Sequence, residues 1–230
     1  MILLGTFVNT LAIVAGSLIG LLFRGRISAS YHRTVMQAIG LSVVVIGISG
    51  ALKFSQILLI IFSLALGSLL GQLIGIETRL TRFGDWVQHR FASGESDVTK
   101  GFVTTSLLYC VGSMAIVGSL ESGISGNHQT LYAKSILDGI ASVLFASSLG
   151  WGVLLSAAPV LLYQGAIVVS ASTIAPFLTP AVVSDMSSVG GILILAIGIE
   201  LLDLKRLHVG NMLPAVFIPL AYGVLYSLFK

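Results

Sequence analysis

AKSILDGIASVLFASSLGWGVLLSAAPVLLYQGAIVVSASTIAPFL, residues 133–178, decides how this chain folds. The stretch is too long for one crossing of a hydrocarbon core, which takes roughly 20 helical residues. Its only charged residues are Lys134 and Asp138. The pattern predicts helices at 133–157 and 159–178, turned at Ser156-Ala157-Ala158-Pro159. Proline is tolerated in a first helical turn, where its missing N–H has no partner to lose. Working outward, apolar runs predict six more helices at 2–23, 34–52, 55–76, 101–120, 186–204 and 211–229. The expected fold is an all-α polytopic membrane protein with eight transmembrane helices, a single transmembrane domain over 1–230.

Composition agrees with that reading. The 230 residues are 56% hydrophobic and 9% charged, with mean hydropathy +1.03, whereas soluble domains carry about 25% charged residues. Eight spans of roughly 20 residues leave only short loops. The 26 glycines suit close helix contacts in lipid. A single cysteine, Cys110, excludes a disulfide within one chain and gives no thiolate metal cluster. The first apolar run has no basic segment before it and no small-residue cleavage site, so it reads as a retained helix.

Lysine and arginine favour the cytoplasmic side of short loops. With the N-terminus outside, eight helices put Arg24, Arg26, Arg33, Arg79, Arg82, Arg90, Lys100, Lys205 and Arg206 inside, and Lys53, Lys134 and Lys230 outside. One crossing over 133–178 would move Lys205 and Arg206 outside and weaken that bias. The expected location is the bacterial inner membrane, with both termini external. The basic residues stand singly along the loops, which argues against a nucleic-acid partner.

The longest polar connection, ETRLTRFGDWVQHRFASGESDVTK (77–100), reads as a cytoplasmic interfacial connector. Leu80, Phe83, Trp86, Val87 and Phe91 recur at helical spacing, with Arg79, Arg82 and Asp85 on other faces. A solvated linker with an incidental aromatic is the plainer alternative. Arg79, Arg82 and Trp86 are the candidate docking residues.

The run MQAIGLSVVVIGI (36–48) resembles MSSVGGILILAIGI (186–199), matching Gly40 with Gly191 and Gly47 with Gly198. Helices two and seven would cross in opposite directions, so extending the match gives an inverted-topology repeat of helices 1–3 and 6–8, with 4–5 between them. A competing pairing matches SLALGSLLG (63–71) with ASSLGWGVL (146–154), and glycine-rich apolar runs also resemble one another by composition alone.

The segments GTFVNTLAIVAGSLIGLL (5–22), MQAIGL (36–41), IETRLTRFGDW (76–86), SILDGIASVLFASSLGWGVLLSAAPVLLYQG (135–165) and MSSVGGILILAIGI (186–199) are together similar to the domain-of-unknown-function 554 family of bacterial membrane proteins. The resemblance implies an inner-membrane protein of several helices without an agreed activity or catalytic residues. Members of that family often carry a glutamate after the glycine matched by Gly71, where this chain has Gln72. If that carboxylate handles a proton or cation in relatives, this chain has lost or moved the task.

Ionisable and amide groups inside a span cost free energy unless partnered, and mark candidate sites. Asp138 reads as one turn into its helix, able to pair with Lys134 at i−4 as a simple interfacial ion pair. Glu77, Glu200 and Asp203 fall near helix ends. Asn9, Gln37, Gln72 and Gln164 sit deeper, where hydrogen bonds between helices are the structural alternative to a site. Helix five combines Ser142, Ser147, Ser148 and Ser156 with Gly150-Trp151-Gly152, and loosened helices of this kind can free carbonyls for ligands. The candidate pathway comprises Asn9, Asp138, Ser142, Ser147 and Gln164.

Histidines at loops or helix borders leave no Ser/His pair at depth, and no paired intramembrane aspartates, HExxH metal site, Cys/His cluster or GxxxxGK[ST] loop occurs. No enzyme activity, cofactor or metal is therefore expected. The chain reads as a secondary transporter or channel for a small solute or monovalent cation, or else as a non-transporting scaffold, sensor or accessory subunit. Its expected partners are the lipid bilayer and a second copy in a homo-oligomer, for which the Gly67–Gly71 spacing is suited, although the same spacing packs helices within one chain just as often.

Overall fold

A computed structural model describes residues 2–24, 29–91, 98–111 and 113–228, and every regular element among them is helical. Arg26 and Lys230 of the charge tally, and positions 92–97 of the connector, lie outside the described residues. In chain order the helices are α1 (Leu4–Phe23), α2 (Ala29–Ala51), α3 (Ile57–Ile74), α4 (Ile76–Phe91), α5 (Val98–Val111), α6 (Ser113–Ser125), α7 (Gln129–Leu149), α8 (Gly152–Leu155), α9 (Ala157–Ile174), α10 (Pro180–Leu201), α11 (Val209–Met212) and α12 (Ile218–Leu228). Short 3-10 turns at Ala175–Phe177 and Leu213–Phe217 hold Pro176 and Pro214, irregularities expected where proline removes a donor.

Six described segments are long and apolar enough to cross a membrane: Leu4–Phe23, Arg33–Ala51, Ile57–Ile74, Gly152–Phe177, Pro180–Leu201 and Val209–Ser227. The pair α5 and α6, bent by 56°, makes a seventh if taken as one broken span. Their outer faces are leucine-rich, with Leu73 84% and Leu162 73% exposed, while Asn9 and Gln164 are fully buried. A soluble core would reverse that distribution; lipid as solvent requires it.

Several boundaries differ from the sequence reading. The fourth apolar helix starts at Val98 and runs, bent, to Ser125, instead of covering 101–120. The seventh starts at Pro180, six residues before the expected 186, because Thr179 caps it: its hydroxyl accepts from the Val182 N–H at 3.3 Å and Pro180 fills the first turn. The largest correction concerns the deciding stretch. Its turn falls at Gly150-Trp151, and Ser156–Pro159 continues within the segment Gly152–Phe177. Gly150 has φ +75° and ψ −150°, a backbone region essentially closed to other residues, so the chain breaks there. Helix α7 accordingly begins at Gln129 and ends at Leu149. Lys134, placed on the external side by the charge tally, is buried inside it, 5% exposed.

The chain forms two compact units. The first holds residues 1–36, 79–110 and 114–171. Here α1 and α7 run parallel in close contact: Gly5 meets Leu131, Gly16 meets Gly139, and Gly20 meets Val143. A Cβ on Gly16 would lie 2.1 Å from the Gly139 carbonyl oxygen, so only glycine permits this approach. Helix α9 runs the other way, since Leu3 approaches Gly165 while Ile13 packs with Ala157 and Val160. The α5–α6 pair is also reversed, with Gly101 beside Leu149 at one end and Gly123 beside Val168 at the other.

The second unit holds residues 37–78, 111–113 and 172–230. Helices α2 and α10 pack antiparallel through paired glycine contacts: Gly40 against Leu202, Gly47 against Leu195, Gly191 against Ala51 and Gly198 against Val44. Gly67 and Gly71 of α3 meet Ala215 and Asn211, so that spacing packs helices within the chain. Gly75, at φ +69°, ends α3 with its N–H donating to Gly71 and Gln72 carbonyls. The polar connector then forms helix α4.

Candidate functional site

In the first unit, the buried stripe of α1 runs Gly5, Thr6, Asn9, Ile13, Gly16, Ser17 and Gly20, a helical period that places Asn9 toward its neighbours. The buried face of α9 carries Val160, Gln164, Ile167 and Val168. Asn9 lies one turn from Ile13 and Gln164 one turn from Val160, two members of one buried cluster, each on the side leading toward Leu3 and Gly165. Antiparallel helices thus carry both amides on buried faces of α1 and α9, between the Ile13 cluster and the Leu3 end.

Helix α7 brings the charges. Because it begins at Gln129, Asp138 stands near its middle, about 14 Å from the first residue at 1.5 Å per residue, and is 7% exposed. The i−4 pairing with Lys134 read from the sequence is present, deeper in the helix than one turn and buried. Lys134 pairs with the Asp138 carboxylate, and the Asn9 side-chain N–H donates to the same Oδ2 at 3.1 Å. Lys134 Nζ also lies 5.7 Å from the Tyr109 ring centroid, a cation–π arrangement. Tyr109 and Ser142 hydroxyls share a hydrogen bond of 2.9 Å. Three helices are therefore tied by one buried polar network, Asn9–Asp138–Lys134 with Tyr109–Ser142 alongside.

Gln164 stands apart from that network in its bonding. It is fully buried, and neither its Nε2 nor its Oε1 has a hydrogen-bond partner. Asn9 Oδ1 is likewise bare. Unmet buried polar atoms cost about 1–3 kcal/mol each, so native proteins keep few of them. Ser147 does not join the group; its hydroxyl donates to the Leu144 carbonyl of its own helix at 2.8 Å.

The second unit holds a network that periodicity did not reveal. The Glu77 N–H donates to Asn211 Oδ1 at 2.8 Å, the Gly210 N–H donates to Glu77 Oε2 at 2.8 Å, and Asn211 Nδ2 donates to Gln72 Oε1 at 2.7 Å. A cleft of about 490 Å³ is lined there by Ser68, Gln72, His208 and Asn211 among others. Gln72 faces this cleft and Gln37 an exposed side of α2, so neither belongs to the buried amide pair. Asp185, 2% exposed, accepts from the Ser55 and Gln56 N–H groups at 2.7 and 3.2 Å, satisfying the start of α3. Beginning the seventh helix at 186 left this carboxylate in a loop; the Thr179-Pro180 cap signal would have recovered it. Among the described residues no group of three potential metal ligands occurs. Arg79, Arg82 and Trp86 lie on exposed positions of α4.

Apolar helices that turn leucine outward and hold amides and an ion pair inside define a helical membrane protein with a polar interior. A model of the family described as "Protein of unknown function (DUF554)" matches residues 4–224, and the chain belongs to that family. It is similar to "Uncharacterized membrane protein YdfK" of Bacillus subtilis (strain 168), 35% identical over 219 residues, 94% of this chain and 93% of that protein. "Uncharacterized protein YqgA" of Escherichia coli (strain K12) is 29% identical over 229 residues, 97% of each. No solved structure matches.

Proposed function

We propose that this protein is a secondary transporter or channel for a small solute or ion, with its pathway through the first unit between α1, α5–α6, α7 and α9. The observation that carries this reading is Gln164: a fully buried amide without a partner, in the same unit as the bare Asn9 carbonyl. A side chain serving only to glue helices would be bonded; one awaiting a permeant is left open. The Lys134–Asp138 pair bonded to Asn9 is the kind of intramembrane charge that marks pathways.

Eight crossings support the same reading. Helix α7 has 21 residues, about 31 Å of length, and it alternates in direction with α5–α6 and α9. Counting it and the broken pair as spans adds two to the six apolar segments and leaves both termini on one side, external by the positive-inside bias. An inverted repeat also draws support from α2 and α10. The shift that carries Gly40 onto Gly191 and Gly47 onto Gly198 also carries Leu202 onto Ala51 and Leu195 onto Val44. The contact Gly40–Leu202 thereby maps onto Gly191–Ala51, and Gly47–Leu195 onto Gly198–Val44. A two-fold axis in the membrane plane relates helices in this way, and such repeats underlie alternating access.

The test is reconstitution into vesicles with solute, proton and cation gradients imposed. Accelerated movement of at least one permeant is expected; a broad panel without movement sinks the proposal. The scaffold reading has its own support in α4, where Trp86 is 59% exposed beside Arg79 and Arg82. Replacing those three residues should leave vesicle transport intact, whereas a docking subunit would lose its cellular phenotype.

A further inference from the structure

We infer that the interior of the first unit takes an uncharged solute carrying two hydrogen-bond donors and an acceptor, a primary amide or small polyol. The inference rests on the transport reading above and adds the chemical class of the substrate.

Charge balance decides against ions. Lys134 and Asp138 already cancel each other; Tyr109, beside Lys134, and Cys110 and Tyr163 in the adjoining buried cluster are neutral in their ordinary forms. An added cation or anion would bring an uncompensated charge into a buried, low-dielectric space. A neutral solute needs no change in protonation.

Hydrogen-bond polarity then defines the ligand. Asp138 accepts from Asn9 Nδ2, which turns Asn9 Oδ1 away as a bare acceptor. Gln164 leaves a donor and an acceptor open. The complement is a molecule that donates to Asn9 and both donates to and accepts from Gln164, as a primary amide or a polyol does. Further unpartnered hydroxyls, Thr6 and Ser17 of α1, Ser106 of α5 and Ser119 of α6, continue this polarity along the helices. Thr6 precedes Asn9 by about one turn. Ser119 lies one turn from Ser122, whose hydroxyl bonds the Ile2 carbonyl at 2.7 Å. Thr6 and Ser119 therefore carry the set toward the N-terminal end of α1, and Ser17 carries it toward the other end. The ion pair acts as a positioning device: it fixes the orientation of Asn9 and leaves its carbonyl for the solute.

Stopped-flow light scattering of proteoliposomes, with inward gradients of urea, acetamide or glycerol, tests this beside sodium and potassium chloride read by a potential-sensitive dye. At least one neutral probe should enter faster than into protein-free vesicles, at a rate unaffected by membrane potential. Gln164→Met preserves side-chain length while removing the amide, and should cut that entry about tenfold, the effect of an unmade hydrogen bond in the bound solute. Thermal unfolding in detergent establishes that the variant is folded. Potential-dependent ion movement without neutral permeation would overturn the inferred substrate class and leave transport standing. Movement of no probe at all would overturn both. Neutral entry unchanged in folded Gln164→Met would overturn the site.

Discussion

At Asp138, a single carboxylate accepts from an amide on one helix and pairs with a lysine one turn away on its own. Buried pairs gain little over apolar packing, but removing one partner leaves a lone charge. Lys134→Met should therefore lower stability by about 3–5 kcal/mol, and adding Asp138→Leu should restore most of the loss. Thermal unfolding in detergent checks both, and equal destabilisation by single and double variants would contradict the pairing. Glu77 and Asp185 show a different use of carboxylates. Each accepts backbone N–H groups at the start of another segment, so neither is a free intramembrane charge.

Glycine governs the elements, for two separable reasons. Gly150 and Gly75 are set by backbone conformation. At Gly150, φ +75° and ψ −150° forbid a side chain, and Gly150→Ala should lose about 1–3 kcal/mol. Gly75 has ordinary left-handed geometry, and a Cβ added there would meet nothing within 4 Å. Asparagine tolerates that region, so Gly75→Asn should be nearly silent in the same unfolding measurement. Gly16, Gly67 and Gly71 are set by contact instead: their neighbours are backbone atoms that cannot swing aside. This difference was hidden in sequence, where all five are simply glycine in apolar surroundings. The turn was misplaced for that reason, since Pro159 announces itself and a strained glycine does not.

Across the whole molecule, the proposed eight crossings predict which connections face which side. Single cysteines placed at Asn127 and Ser55 should react with an impermeant maleimide from outside, and those at Trp151 and Lys205 only after permeabilisation. The native thiol is buried and should stay silent. Labelling of Trp151→Cys from outside would remove one crossing from the 129–177 stretch and with it the parity of the termini.

Residues alone determined that this chain lives in a bilayer, that its helices are numerous and apolar, and to which family it belongs, because hydropathy, charge depletion and family motifs are properties of linear order. Even the candidate amides Asn9 and Gln164 were legible, since any polar side chain deep in an apolar run must find a partner or a purpose. What only the tertiary structure decided is which of them have partners. Gln72 and Gln164 look alike in sequence, but one bonds Asn211 at the edge of a cleft and the other has no partner inside a bundle. Bonding of that kind depends on which helix faces arrive at the same level, and that follows from glycine contacts between segments far apart in the chain.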